Sequence, residues 1–597
     1  MLIYSCQHCN KCYKHFILNY LLFDIDQFKR KNMKLLYFSF LLISSSAIGQ
    51  NQLAIPATIE TTNINLTLQE GVTQFYPGVN TNTMGANGAL LGPTLIMSQG
   101  DNVNITVDNQ LSDTTTIHWH GMHVAPENDG GPHSIILPGT TWNPQFSVMD
   151  KAGLYWYHPH LHMQTDKHVS KGIAGLIIVR DAEEAGFNLP STYGIDEFPI
   201  VMQTKGFDAA GQILVHTELD TSVMVNGTVD AFTDFPAQVV RLRVLNGSSQ
   251  RVMEFGFSDN RSFSLIGTDG GLFAAPLSAT RYRIAPGQRV DILVDLTTSL
   301  GQNFQLMNFA SELPNGIYGA TQPGMGPGAT GSLVGYTSNP LNGNDYQMLD
   351  ITVTAQTASP ILTIPASLAN VTPLLEASAS ITRNLTFTSA GAMNDLAGPF
   401  LINGSTFDMG TINYTVPLDN IEIWSLTNET PISHPFHIHD VQFFILDING
   451  TPPPPELQGL NDVVLVPSGM GNVRFIAQFS DFANDSIPFM YHCHMLTHED
   501  MGMMGQFLVT DPNASVTENS LNEFNVYPNP SIDNVTIEFK QSGEHEIIVH
   551  DVQGREIKKE LTSLDQHELN LSNFDNGVYI IIVNTNGVYT SKRIIKQ

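Results

Sequence analysis

The octapeptide Tyr491-His492-Cys493-His494-Met495-Leu496-Thr497-His498, with Met503 five residues beyond it, concentrates metal-binding side chains. On an extended segment, successive side chains point to opposite faces, so Cys493 faces one way and His492 and His494 the other. A thiolate with two imidazoles and a weak axial thioether is the ligand set of an electron-transfer copper. The flanking histidines can bind further metal on the opposite face, a few bonds from the sulfur.

Three more clusters share this grammar: His118-Trp119-His120-Gly121, Tyr157-His158-Pro159-His160 and His434-Pro435-Phe436-His437-Ile438-His439. Ten of the 20 histidines lie in the four clusters. In each His-x-His pair, a spacing of two puts both imidazoles on one face of a strand. The pairs His118/His120, His158/His160, His437/His439 and His492/His494 supply eight imidazoles, enough for three coppers with positions left open for dioxygen. His434 is left over and joins Cys493 and His498. One His-x-His pair would be unremarkable structure. Tetrahedral zinc, which takes four ligands and no axial methionine, does not explain the full set.

These motifs resemble the four copper motifs of multicopper oxidases, a family that includes laccases, bilirubin oxidases and bacterial cuprous oxidases, over roughly residues 52–512. The resemblance implies four coppers. His434, Cys493 and His498 would bind a type 1 copper, with Met503 axial. His118 and His437 would bind a type 2 copper. His120, His158, His160, His439, His492 and His494 would bind a type 3 pair. It also implies three cupredoxin Greek-key sandwiches, with the trinuclear cluster between the first and third. Two-domain copper nitrite reductases are similar sandwiches but lack the eight-histidine set. Reducing dioxygen to water takes four electrons and four protons, so a buried cluster needs acids. Asp129, in Glu127-Asn128-Asp129-Gly130-Gly131, looks like the family's acid near the type 2 copper, and Glu499 resembles its proton-relaying acid. The bland alternatives are a turn residue before two glycines for Asp129 and an exposed acid for Glu499.

The elements positioning these residues read as strands. Short Val/Ile/Thr/Phe-rich runs separated by Gly (48), Pro (33), Asn and Asp recur, and long 3.6-residue periodicity is scarce, as in β-sandwiches. A length of 597 residues exceeds one core. The expected fold is all-β, with sandwiches at residues 52–182, 190–355 and 356–512, the middle one without copper ligands, its only histidine being His216. Pro360 and Pro365 mark the second junction, and Pro452 to Pro455 form a loop. His123, His133, His162 and His168 are expected to be supporting or surface residues. Met490, Met495, Met501 and Met504 read as core fillers, the alternative being cuprous-ion docking. Trp119 and Trp156 are expected to pack around the cluster.

The formal charge is −29, and −33 without the first fifty residues. An acidic body lacks the basic footprint that nucleic-acid binding needs and tolerates cationic substrates or metal ions. Cys493 is the only cysteine after Cys12, which excludes an internal disulfide from the body. Met33-Lys34, the apolar run Leu35–Ile43 and the small-residue exit Ser44–Gln50 form a signal peptide over 33–50. The apolar run is too short to span a bilayer. Residues 1–32, with Cys6, Cys9 and Cys12, are then an upstream mis-start, the competing reading being a zinc or redox cluster. After a linker at 513–523, residues 524–597 open with Tyr527-Pro528-Asn529-Pro530 and resemble the sorting domain of type IX secretion cargo. That resemblance implies export through the outer membrane by the type IX machinery, to the medium or the cell surface.

The expected activity is oxidation of a small-molecule donor, one electron at a time, coupled to reduction of O2 to two waters. An axial methionine makes type 1 copper a weaker oxidant than an apolar residue would, which favours phenols, amines, bilirubin-like pigments or Cu(I). Bacterial cuprous oxidases often carry a methionine-rich insert over this site. The stretch Ala377–Thr411 holds only Met393 and Met409, so a laccase-like oxidase is expected, with a cuprous oxidase or copper-resistance protein as the alternative. An adhesin built on cupredoxin sandwiches would not need ten ligating histidines.

Overall fold

The computed structural model describes residues 50–324, 339–390, 398–512, 524–551, 554–585 and 588–597. The expected mis-start segment, the expected signal peptide except Gln50, the expected linker at 513–523 and Met393 lie outside these residues. Two compact units divide the chain. The first runs to Asn413 and takes in Ile421–Gln478 and Phe489–Phe507; the second comprises Tyr414–Asn420, Phe479–Pro488 and Leu508–Gln597.

Three β-sandwiches form in the first unit. In the first sandwich, Asn63–Tyr76 and Asn102–Asn109 alternate buried and exposed residues, the pattern of strands with one wet face. Their inward side chains, Ile64, Leu66, Leu68, Val103, Ile105 and Val107, meet Trp119, Tyr155, Tyr157, Ile177 and Val179 in one core. The opposing sheet orders Thr58–Ile59, Thr94–Ser98, Gly175–Arg180, Gly153–His158 and His118–His120. One pairing recurs in all three sandwiches: an early strand runs parallel to a later one. It joins Asn63 to Asn104, Glu197 to Arg241 and Ile381 to Glu422.

The middle sandwich keeps this topology. Its central strand Val239–Asn246 is buried throughout. The arginines on that strand are neutralised: Arg241 donates to Glu184 and Asp291, and Arg243 to Glu197 and Asp291, at 2.6–2.8 Å. In the third sandwich, Phe489–Cys493 lies between His434–Ile438 and Met504–Thr510. Pro452–Pro454 form a loop before the short helical turn Pro455–Leu457. No helix among the described residues is long and apolar enough to cross a membrane.

The tail forms two small sheets. One orders Phe524–Tyr527, Asn534–Phe539 and Gln566–Asn570; the other orders Glu556–Thr562, His545–His550, Gly577–Thr585 and Val588–Lys596. Val535, Ile537, Ile547, Val549, Leu569 and Ile581 fill the core. The strands Gln566–Asn570 and Glu556–Thr562 are mostly polar; the former buries only Leu569.

Candidate metal centre

Two antiparallel strand pairs carry the ligating side chains. His118–His120 pairs with Gly153–His158, placing His158 opposite His118. His434–Ile438 pairs with Phe489–Cys493, placing Cys493 opposite Phe436 and His492 opposite His437. Alternation along Phe489–Cys493 turns Cys493 away from its histidine neighbours. The chain then makes the short helix Leu496–Asp500 and returns, the Cys493 N–H donating to the Met503 carbonyl at 3.0 Å.

On the sulfur side, Cys493 Sγ lies 3.5 Å from His434 Nδ1 and 3.6 Å from His498 Nδ1, and the two nitrogens lie 3.2 Å apart. Thr430 Oγ1 meets the other ring nitrogen of His434 at 2.8 Å, leaving Nδ1 free to ligate. Phe400 packs on both imidazoles, with centroids 4.8 and 4.6 Å away. Met503 is fully buried. Burial pushes the Cys493 thiol far above its ordinary value, so ionising it there requires a cation.

Behind the strand, the eight remaining imidazoles sort into two triads and a pair. His120 Nδ1 lies 3.4 Å from His158 Nε2 and 3.2 Å from His494 Nε2. His160 Nε2 lies 3.1 Å from His492 Nε2 and 3.2 Å from His439 Nε2. His118 and His437 remain, their ring centroids 6.0 Å apart and their Nε2 atoms buried without a hydrogen-bond partner. Burial, reinforced by repulsion among the rings, holds His120, His158, His160, His437 and His492 well below the ordinary imidazole value. These rings are therefore neutral, with lone pairs available. Three lone pairs converging on one point cannot all be satisfied by hydrogen bonds among the rings, whereas a cation between them satisfies all three. The donor set thus fits copper on both sides of the strand.

Both expected acids are buried at this cluster: Glu499 is not an exposed acid, and Asp129, which does sit at a turn before Gly130 and Gly131, also faces the imidazoles. Asp129 Oδ2 accepts from His439 Nδ1 at 2.8 Å, and Oδ1 lies 3.2 Å from His118 Nδ1. Burial alone would push the Asp129 carboxyl up; the His118 and His439 rings outweigh it and hold the group below the usual carboxylate range. Asp129 ends a four-residue helix at Gly130, whose φ of +83° and 1.7 Å clearance to the Ile117 carbonyl oxygen admit no side chain. Glu499 Oε1 accepts from Thr165 Oγ1 at 2.6 Å. Its two oxygens lie 3.4 Å from His160 Nδ1 and 3.3 Å from His492 Nδ1. Burial, and then the charge of Asp500, raise the Glu499 carboxyl well above its ordinary value.

One acid of the site escapes sequence reading. Asp462 is fully buried, its Oδ1 3.1 Å from His120 Nε2 and its backbone carbonyl 2.8 Å from His437 Nδ1. The contact to His120 spans 342 residues of sequence, and no local motif announces it.

The weaker candidates divide. His123 sits 2.9 Å from Asp150, and His133 is 2.8 Å from Gln506. His162 lies against Phe407, and His168 Nδ1 is 3.2 Å from Thr115 Oγ1. Among the described residues none of the four joins a metal-sized donor group. Met490, Met495 and Met504 are buried fillers, and Met501 is exposed. Trp156 stacks on His158, but Trp119 turns into the first sandwich's core beside Trp142 and Tyr157. Alternation requires this, since Trp119 separates the two histidines of its pair.

Comparison with known proteins agrees with this geometry. Sequence models of multicopper oxidases match residues 67–184, 201–321 and 376–513, and a model described as a secretion system C-terminal sorting domain matches 525–597. Multicopper oxidase mco of Staphylococcus haemolyticus is 31% identical over 484 residues, covering 78% of this chain and 94% of that protein. Cell division protein FtsP of Sodalis glossinidius is 30% identical over 470 residues, covering 76% and 92%. Among solved structures, the laccase-like multi-copper oxidase CueO of Ochrobactrum sp. superposes with a TM-score of 0.67 at 31% identity, covering 77% of this chain and all of that one. The three sandwiches are cupredoxin-like, and the chain belongs to the multicopper oxidase family.

Proposed function

We propose that this chain is a secreted, laccase-like oxidase that draws single electrons from phenols, amines or pigments and delivers four of them to each O2. Bound copper would supply that chemistry, as a type 1 ion beside Cys493 and a type 2 ion with a type 3 pair among the eight imidazoles. The carrying observation is the sorting of ligands by strand face: one sulfur-containing group in front, two imidazole triads and a pair behind, joined through consecutive residues.

The chain's residues divide the work. Cys493, His434, His498 and Met503 form the electron-entry site. His118 and His437 hold the type 2 position; His120, His158, His160, His439, His492 and His494 hold the type 3 positions. Glu499, whose carboxyl burial pushes up, donates protons on the His160 and His492 side, and Asp129 orients His118 and His439 and accepts protons there. Each O2 takes four electrons and four protons and leaves as two waters. The FtsP likeness makes fold alone a poor guide to activity; the complete ligand set is what favours catalysis. The Ochrobactrum relative's oxidase activity towards lignin model compounds supports an organic donor. The reading includes the domain limits 52–182, 190–355 and 356–512, a signal peptide at 33–50 and export by type IX machinery through the tail.

Copper analysis and the visible spectrum of the purified protein test the centre: four coppers per chain and an intense thiolate-to-copper band are expected. Cys493→Ser should abolish that band and oxygen uptake together; uptake at the parent rate would end the proposal. Glu499→Gln should load copper fully but turn over slowly. Parallel rates with a phenol and with Cu(I) decide the donor, faster Cu(I) oxidation favouring the cuprous-oxidase alternative.

A further inference from the structure

The middle sandwich supplies no ligand, yet its segment 287–289 reaches the imidazole cluster. Arg289 opens the strand Arg289–Asp295 and is fully buried. Its guanidinium grips both oxygens of Asp462, Nη1 to Oδ1 at 2.6 Å and Nη2 to Oδ2 at 2.5 Å. The fork is itself fixed, Nε donating to the Leu154 carbonyl at 3.0 Å and Nη2 to the Asp269 carbonyl at 3.1 Å. Asp269 also accepts the Arg289 backbone N–H at 2.7 Å. Two residues earlier, Gly287 (φ +83°) runs so close to His494 that a Cβ there would sit 2.9 Å from the ring.

The clamp bears on an unusual ligand. His120 is the one imidazole in the two triads that turns Nδ1 toward its partners and Nε2 outward, onto Asp462. An outer acceptor fixes which ring nitrogen carries the proton and which ligates. The same residue's carbonyl receives His437 Nδ1–H. A bidentate guanidinium orients a carboxylate plane in a way that a lysine's point charge does not.

We infer that Arg289 is a positioning residue for the trinuclear centre, setting the ring orientation of His120 through Asp462, so that the copper-free middle sandwich is a working part of the oxygen site. The inference rests on the assignment of the trinuclear ligands proposed above, and the wild-type spectrum tests that assignment separately. If the wild type shows no type 2 and type 3 signals, the assignment fails before any variant is compared.

The experiment uses the full-length, copper-loaded protein with Arg289→Lys and Arg289→Gln. Both variants should keep the thiolate-to-copper band at wild-type intensity, which reports a folded third sandwich. Both should show altered type 2 electron-spin resonance parameters or lost trinuclear copper, with oxygen turnover reduced about 10–100-fold, the usual cost of losing an outer partner of a metal ligand. Wild-type resonance parameters and copper content in either variant overturn the inference. So does equal loss of the thiolate band, which marks general unfolding. If neither variant is soluble, Asp462→Asn, of equal volume, is read by the same signals: selective change at the trinuclear centre supports the inference, and no change overturns it.

Discussion

Replacing Asp129 with asparagine isolates the proton chemistry from the copper scaffold. The amide has the carboxylate's shape, and the side chain is buried, so packing is preserved. The carboxylate faces two ring N–H groups, His439 Nδ1 at 2.8 Å and His118 Nδ1 at 3.2 Å. An amide keeps the bond to His439 but presents N–H towards His118, so the carboxylate charge is lost and two donors confront each other. That costs about 1.5–3 kcal/mol, or roughly 10–100-fold at ~1.4 kcal/mol per factor of ten. His118 keeps a second acceptor, the Asp129 backbone carbonyl at 3.0 Å, so the loss should fall on turnover rather than on metal loading. The assay is oxygen consumption at saturating reductant, alongside copper analysis and the visible spectrum. Full copper with turnover down by about the predicted factor supports the reasoning. Full copper with unchanged turnover refutes it, and slow turnover explained by missing copper would reduce Asp129 to a scaffold.

Three further outcomes are expected. Met503→Leu, a near-isosteric exchange in a buried site costing less than about 1.5 kcal/mol, should raise the type 1 potential by removing the thioether; a redox titration showing no rise or a fall would contradict the axial assignment. Gly130→Ala forces a left-handed conformation costing ~1–2 kcal/mol and drives a Cβ into the Ile117 carbonyl beside His118. Its melting temperature should fall and trinuclear copper should be lost before type 1 copper, whereas wild-type melting and loading would show the contact to be unimportant. His216→Gln tests a surface tie: His216 Nε2 lies 2.8 Å from Asp500 Oδ2, and that hydrogen bond, with the nearby Asp166, raises the imidazole above its ordinary value against the effect of burial. A raised histidine stabilises fully below its unfolded value of about 6.5 and loses that contribution as pH rises through the folded value. The wild type should therefore exceed the variant in melting temperature at pH 6 and converge with it by pH 9; a constant gap would refute the charge's role.

What could be read from the sequence followed from how strictly ligand chemistry constrains residue type and spacing. A period of two on a strand puts both imidazoles of a His-x-His pair on one face, so the four pairs declare themselves locally, whereas His434 and His498 stand outside that period and are legible only as histidines left over near Cys493. The same period places Trp119 away from its flanking histidines, an inference available from sequence. The outer partners obey no such rule. Asp462 meets His120, and Arg289 meets Asp462, only after three sandwiches have formed, and any buried carboxylate at the right point in space would serve. Polar edge strands such as Gln566–Asn570 escape for a related reason: one buried side chain leaves no period to detect.

The register of His434–Ile438 against Phe489–Cys493 has a consequence for electron flow. On the electron route proposed above, the sulfur and the imidazoles on either side of it belong to consecutive residues, so a covalent path joins the two sides of the strand instead of a packed interface. Looser packing between the sandwiches would leave that path unbroken. A one-residue slip of this strand would do worse than stretch it: front and back would exchange, presenting imidazole where sulfur is required and sulfur to the oxygen pocket. Tunnelling efficiency and folding fidelity are here the same property.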